Sequence, residues 1–114
     1  MKLIKAYIRT YFVYDTIVAL EKIGVPRVSV LNLAEAGKDT NQNDRNISSE
    51  VGDFTPMVKL ELIVHDEKVD MVIDAILSKA RSGGHGAKGD GIIAVSHVEE
   101  VISVRTGERG ADIL

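Results

Sequence analysis

The stretch Val58-Lys59-Leu60-Glu61-Leu62-Ile63-Val64 sets Val58, Leu60, Leu62 and Val64 against Lys59, Glu61 and Ile63, the period of two of a half-buried strand. Directly after it the period changes. From Asp66, with Glu67 in the positive first turn, Val69, Val72, Ile73, Ile76 and Ala80 recur at helical spacing, and Lys79 and Arg81 fall at the negative end. A strand over Ile92 to Val95 completes this half. The N-terminal half has the same plan. Ile4, Ala6 and Ile8 alternate with Lys5, Tyr7 and Arg9 as a first strand. Asp15 reads as the N-cap of a helix through Ile17, Leu20 and Ile23, ended by Gly24 and Pro26. Arg27 to Leu33 returns to alternation, with Val28 and Val30 on one face and Ser29, Leu31 and Leu33 on the other.

The order β-α-β-β-α-β, with a short extended segment over Val98 to Val104, predicts an α+β, ferredoxin-like fold. It has an antiparallel sheet, both helices on one face, a long loop after the second strand and a short C-terminal extension. One domain accounts for residues 1–114. Helices in a single layer leave the other sheet face, with Leu31, Leu33 and Ile63, for sister subunits.

Composition narrows the chemistry. Among 114 residues there is no cysteine, which excludes a disulfide framework, a thiolate nucleophile and a Cys-ligated metal. Aromatics are 4% of the chain, so the core rests on Val, Ile, Leu and Ala. A net charge of −3 without a dense basic window argues against nucleic acid and against an anionic membrane surface. The third strand also lacks the stacking aromatics of an RNA-recognition domain. No apolar run approaches the roughly 20 residues of a membrane span. With no signal core after Met1-Lys2-Leu3-Ile4-Lys5, a cytoplasmic address and no membrane insertion are expected.

Two segments carry candidate chemistry. Five of the ten glycines, Gly83, Gly84, Gly86, Gly89 and Gly91, fall within Ser82-Gly83-Gly84-His85-Gly86-Ala87-Lys88-Gly89-Asp90-Gly91. This segment joins a helix to a strand, so it is not a phosphate loop of the strand-loop-helix kind. Its glycines can still let backbone N–H groups converge on an anion, with His85 and Lys88 as side-chain donors; the plain alternative is a flexible turn. Downstream, Arg105-Thr106-Gly107-Glu108-Arg109 offers two guanidiniums suited to phosphate, or else two solvated surface arginines. Three histidines, His65, His85 and His97, do not make a metal site in one subunit, and the acidic residues Asp39, Asp44 and Glu50 fit a solvated loop. No nucleophile–base pair supports an enzyme, although Asp90 or Glu108 with a metal would be the place to look for slow phosphohydrolysis.

The chain resembles the PII signal-transduction family along nearly its whole length. The resemblance rests on Met1-Lys2-Leu3-Ile4-Lys5-Ala6-Tyr7-Ile8-Arg9, Ala19-Leu20-Glu21-Lys22-Ile23-Gly24, Asp53-Phe54-Thr55-Pro56-Met57-Val58-Lys59-Leu60-Glu61, Gly89-Asp90-Gly91-Ile92-Ile93 and Val101-Ile102-Ser103-Val104-Arg105-Thr106-Gly107-Glu108. It implies a homotrimer, not an enzyme, that binds an adenine nucleotide (AMP, ADP or ATP) as a regulatory ligand in clefts between subunits. A T-loop at about 37–54 would dock on a membrane transporter or metabolic enzyme, with a B-loop at about 82–91 and a C-loop at about 103–110. It further implies nucleotide contacts at Ser29 and Ile63 beside the adenine and at Gly37 and Lys38 at the T-loop base. Others are His85, Lys88, Gly89, Asp90 and Gly91 in the B-loop, and Arg105, reaching across from the next subunit, with Arg109. Partner contacts would come from Thr40, Asn43, Arg45 and Ile47, with no metal site.

The departures have consequences of their own. Asp39 and Met57 stand where the family's 2-oxoglutarate site has a glutamine and a lysine, and no tyrosine lies between Gly37 and Phe54 for uridylylation. Ile92 and Ser103 replace two phosphate-binding cations, which favours a nucleotide with fewer phosphates than ATP. A small anion such as bicarbonate is the second ligand this variant suggests. A trimeric CutA-type metal-tolerance or small-molecule-binding module is the alternative on the same fold.

Overall fold

A computed structural model describes residues 1–37, 46–49 and 52–114. Strand β1 (Lys2–Arg9) leads through a 3₁₀ turn at Thr10–Phe12 into helix α1 (Val13–Lys22). Strands β2 (Ser29–Glu35), β3 (Asn46–Ser49) and β4 (Gly52–Val64) follow, then a 3₁₀ turn at Asp66–Lys68, helix α2 (Val69–Ala80) and strand β5 (Gly91–His97). The sheet order is β2-β4-β1-β5 with every pairing antiparallel, and β3 is joined to the N-terminal part of β4. This is the expected ferredoxin-like α+β fold.

The alternation of β1 and β4 builds the core. Register pairs Ile4 with Leu62, Ala6 with Leu60 and Ile8 with Val58, so all six project from the same face. They bury against Leu20 of α1 and Val72, Ala75, Ile76 and Ala80 of α2. Covering that apolar area with two helices is the main stabilising term. The other face carries Leu3 beside Ile63, Lys5 beside Glu61 and Tyr7 beside Lys59, with Ser29, Leu31 and Leu33 on the far side of β4. Leu31 and Ile63 are exposed there and Leu33 is half-buried, as the strand pattern predicted.

Several boundaries differ from expectation for physical reasons. Asp15 is not the N-cap; that position belongs to Phe12, and Asp15 lies in the first turn, where its charge still faces the positive helix end. Asp66 opens a 3₁₀ turn, and the α-helix begins three residues later at Val69. The stretch from 37 to 54 is not all loop, since β3 pairs Asn46 with Phe54 and Ile47 with Asp53. Such a ribbon is held by backbone bonds and needs no apolar face, so alternation did not announce it. Of Val98 to Val104, the described pairing is one bridge between Ile102 and Arg109 rather than a strand.

Thr16 exemplifies a buried polar group with a local partner. It is fully buried on α1, and its Oγ1 donates to the Phe12 carbonyl oxygen at 2.8 Å, bracing the change from 3₁₀ to α-helix. Thr16→Val keeps the volume and removes that bond. It should lower stability by about 1 kcal/mol in urea unfolding, and an unchanged midpoint would contradict this role.

Candidate functional site

The candidate residues fall into two groups at different places on the chain. The first surrounds a groove of about 1220 Å³ between the exposed sheet face and the C-terminal segment. Ser29, Ile63 and Arg105 all line it, with Leu3, Val101 and Val104 among its apolar walls. Ser29 and Ile63 reach it because β2 and β4 alternate in register, Ser29 standing across from Glu61. Arg105 reaches it because residues 101–110 close on themselves: Ser103 N–H donates to the Glu108 carbonyl, Gly107 N–H to that of Ser103, and Gly110 N–H to that of Val101. Ser103 Oγ also accepts from Thr106 N–H at 3.3 Å, so this serine shapes the turn.

The two arginines of this segment are not equivalent. Arg109 is exposed and paired with Glu100. Arg105 is exposed and has no hydrogen-bond or ion-pair partner among the described residues, which leaves its guanidinium available to the groove.

The second group is the glycine loop, at the opposite end of β1. Leu3 pairs with Ile63 while Ile8 pairs with Gly91, five residues away along the strand, or roughly 17 Å. The loop is organised by Asp90. Arg9 Nε donates to Asp90 Oδ1 at 2.9 Å and Arg9 Nη2 donates to the Lys88 carbonyl, also at 2.9 Å. Ser82 Oγ donates to Asp90 Oδ1, and the Ser82 and Ala87 N–H groups donate to Oδ2 at 3.0 and 2.7 Å. Burial alone would raise the Asp90 pKa. The donors of Ser82, Ala87 and Arg9 outweigh it and hold the carboxyl down at about 2. An anchored carboxylate of this kind is a poor general base.

With both carboxylate oxygens engaged, Asp90 faces into the loop. Lys88 and Gly89 are different, because among the described residues neither backbone N–H has a hydrogen-bond partner. His85 and Lys88 are exposed. Gly91 is required sterically: at φ +114°, a Cβ would lie 1.6 Å from the Tyr7 carbonyl oxygen.

Other candidates are separate from these groups. Gly37 ends the described part of β2 and its following turn. Lys38, Thr40, Asn43 and Arg45, with Asp39, Asp44 and Glu50, lie outside the described residues, and Ile47 is described only as a backbone position of β3. Met57 is 1% exposed and belongs to the interior. Ile92 is exposed at the edge strand, across from Tyr7. Among the described residues there is no cluster of three or more His, Asp or Glu able to hold a metal, and no helix long and apolar enough to cross a membrane.

The residue that sequence reading missed is Arg9, which looked like one more outward position of an alternating strand. Its partner is 81 positions away, so no local signal marks it.

Comparison with known proteins agrees with this architecture. A family profile described as Nitrogen regulatory protein P-II matches residues 1–108. The Nitrogen regulatory protein P-II of Rhizobium meliloti is 37% identical over 115 residues, covering 100% of both chains. That of Nostoc punctiforme is 36% identical over 113 residues, 98% of each chain, and that of Haemophilus influenzae is 36% identical over 115 residues, 100% of each. Similarity at this level across the whole length, on a chain with this strand order, means that it belongs to the P-II family and is a PII-like signalling protein.

Proposed function

We propose that the chain works as a homotrimer that binds an adenine nucleotide between subunits and passes its occupancy to the loop after β2, which engages a transporter or enzyme. The observation that carries this reading is the separation of the two candidate groups. Ser29, Ile63 and Arg105 share one groove, while the glycine loop lies at the other end of β1 and lines none of it. A second copy brings the two halves together, and the unpaired outward face with Leu31 and Ile63 is the surface on which copies meet. The nucleotide phosphates then meet Arg105 and the unpartnered N–H groups of Lys88 and Gly89, a charge-assisted arrangement. Occupancy selects among conformations of the neighbouring loop that do or do not fit the partner. The chain acts as a regulator rather than an enzyme, in the cytoplasm. Bicarbonate is a candidate second ligand.

Two features shape the ligand preference. Ile92 and Ser103 provide no cation, so each further phosphoryl group is less well compensated and AMP or ADP is favoured over ATP. A buried Met57 cannot pair with a carboxylate, so 2-oxoglutarate is not sensed in the usual manner. Titration calorimetry with the three nucleotides should show AMP or ADP binding at least as tightly as ATP, and Arg105→Ala should weaken binding about tenfold or more. Clearly tightest binding of ATP would overturn the preference. Absence of any nucleotide-induced rise in melting temperature would overturn the nucleotide reading and favour a CutA-type module.

A further inference from the structure

The groove holds more positive charge than Arg105 alone, because three further basic residues line it. Arg27 comes from the α1–β2 connection, His65 follows the last residue of β4, and Lys68 ends the 3₁₀ turn before α2; all three line the groove. The antiparallel pairing explains how residues so distant in sequence converge. Ser29, the first paired residue of β2, stands across from Glu61, and Arg27 lies two residues before it in the connection from α1, where Lys68 Nζ also comes within 4.0 Å of the place a Gly24 Cβ would take. Backbone bonds fix that corner, with Lys68 N–H donating to the His65 carbonyl at 3.0 Å and Val25 N–H to the Leu20 carbonyl at 3.0 Å.

Neither the Arg27 nor the Lys68 side chain has a hydrogen-bond or ion-pair partner among the described residues. The nearby acidic side chains do not neutralise them. Glu61, the acidic side chain in the groove wall, is paired with Lys59 at 3.0 Å, and Asp66 accepts the Met1 ammonium at 2.8 Å. Glu67 is exposed and does not line the groove. In a chain of net charge −3, two unpaired cations and an imidazole at one apolar corner are a concentration of charge that the fold alone does not explain.

We propose that Arg27, His65 and Lys68 form a second oxyanion subsite in this groove, for a phosphate group other than the one met by Arg105. The phosphate is either free or a ribose phosphate of a nucleotide that also carries a 5′-phosphate. The nucleotide form rests on the function proposed above; the subsite for free phosphate does not. Arg27 supplies a planar fork of donors, Lys68 a mobile ammonium and His65 a ring N–H, a donor set matched to three phosphate oxygens.

Calorimetry of the full chain with AMP and with adenosine 3′,5′-bisphosphate, together with melting curves in inorganic phosphate, tests this. The bisphosphate should bind about tenfold tighter than AMP, the effect of one or two charge-assisted hydrogen bonds. The double variant Arg27→Gln and Lys68→Gln keeps the side-chain stems, so it should remain folded and bind AMP as before while losing the gain. Equal affinity of the wild-type chain for the two nucleotides, or a gain that survives in the double variant, would overturn the nucleotide form. If neither nucleotide binds but inorganic phosphate raises the melting temperature of the wild-type chain and not of the variant, the subsite stands for free phosphate and the nucleotide function falls. If phosphate gives no Arg27- and Lys68-dependent rise and no bisphosphate gain exists, the subsite itself is overturned.

Discussion

Gly91→Ala should destabilise the protein by more than about 3 kcal/mol and lower its melting temperature by about 10 °C or more. Two costs combine at this position. A φ of +114° is strained for any L side chain, which accounts for about 1–2 kcal/mol. The larger cost is steric, because the new Cβ would lie 1.6 Å from the Tyr7 carbonyl oxygen and 2.8 Å from its carbonyl carbon. Both are backbone atoms of β1, so no rotamer change relieves the contact and the start of β5 must leave its pairing with Ile8. Gly84→Ala separates the two costs. Gly84 also has positive φ, +79°, but nothing lies within 4 Å of the place a Cβ would take, so it should lose only about 1 kcal/mol. Urea unfolding of both variants gives the comparison, and equal losses would show that close approach to Tyr7 is not what requires glycine at 91.

That comparison also marks where sequence reading stopped. The ferredoxin-like order was legible because β1, β4 and α2 carry clean periods, and Ile4, Leu60 and Ile76 lie in the core where those periods put them. Starts of helices were less legible: Phe12 and Lys68 hold the N-cap positions without any side-chain cap bond, so the usual capping residues misplaced both ends. In the glycine loop, the sequence signalled an unusual backbone but not its causes. Gly91 is set by the passing carbonyl of Tyr7, and Asp90 by donors that include Arg9, and both partners lie more than 80 positions away. Contacts of that separation have no period and no local motif, so they became visible only with the fold. Arg105 and Arg109 looked alike in sequence, and only Glu100 beside Arg109 distinguishes the free guanidinium from the paired one.

Asp90→Asn should cost about 3 kcal/mol at neutral pH and should flatten the acid limb of the stability profile. Asparagine preserves the shape but offers one acceptor oxygen where the carboxylate offers two. If its oxygen takes the Oδ1 place, Arg9 Nε and Ser82 Oγ keep an acceptor while the N–H groups of Ser82 and Ala87 face an amide NH₂. If it takes the Oδ2 place, Arg9 and Ser82 Oγ lose theirs. Either way at least one donor, the Arg9 Nε–H or the N–H groups of Ser82 and Ala87, is left facing an amide NH₂, and the Arg9 charge, itself buried at the end of β1, loses this counterion. The pH dependence follows from the same bonds. The folded carboxyl titrates at about 2 against an ordinary value of 3.8, so it binds fewer protons in the folded state than in the unfolded state between those values. Its contribution, about 2 kcal/mol, is therefore fully present above the unfolded value and is lost as pH falls from about 4 toward 2. Urea unfolding of the wild-type chain should show that fall, and Asp90→Asn, with nothing to titrate there, should lack it. Parallel acid limbs for the two proteins would mean that the Asp90 carboxylate is not held by the loop as described. If the limbs do differ, nucleotide titration of the variant shows whether the same hub also fixes the N–H groups of Lys88 and Gly89, since binding should then weaken even at pH 7, where Arg105 is untouched.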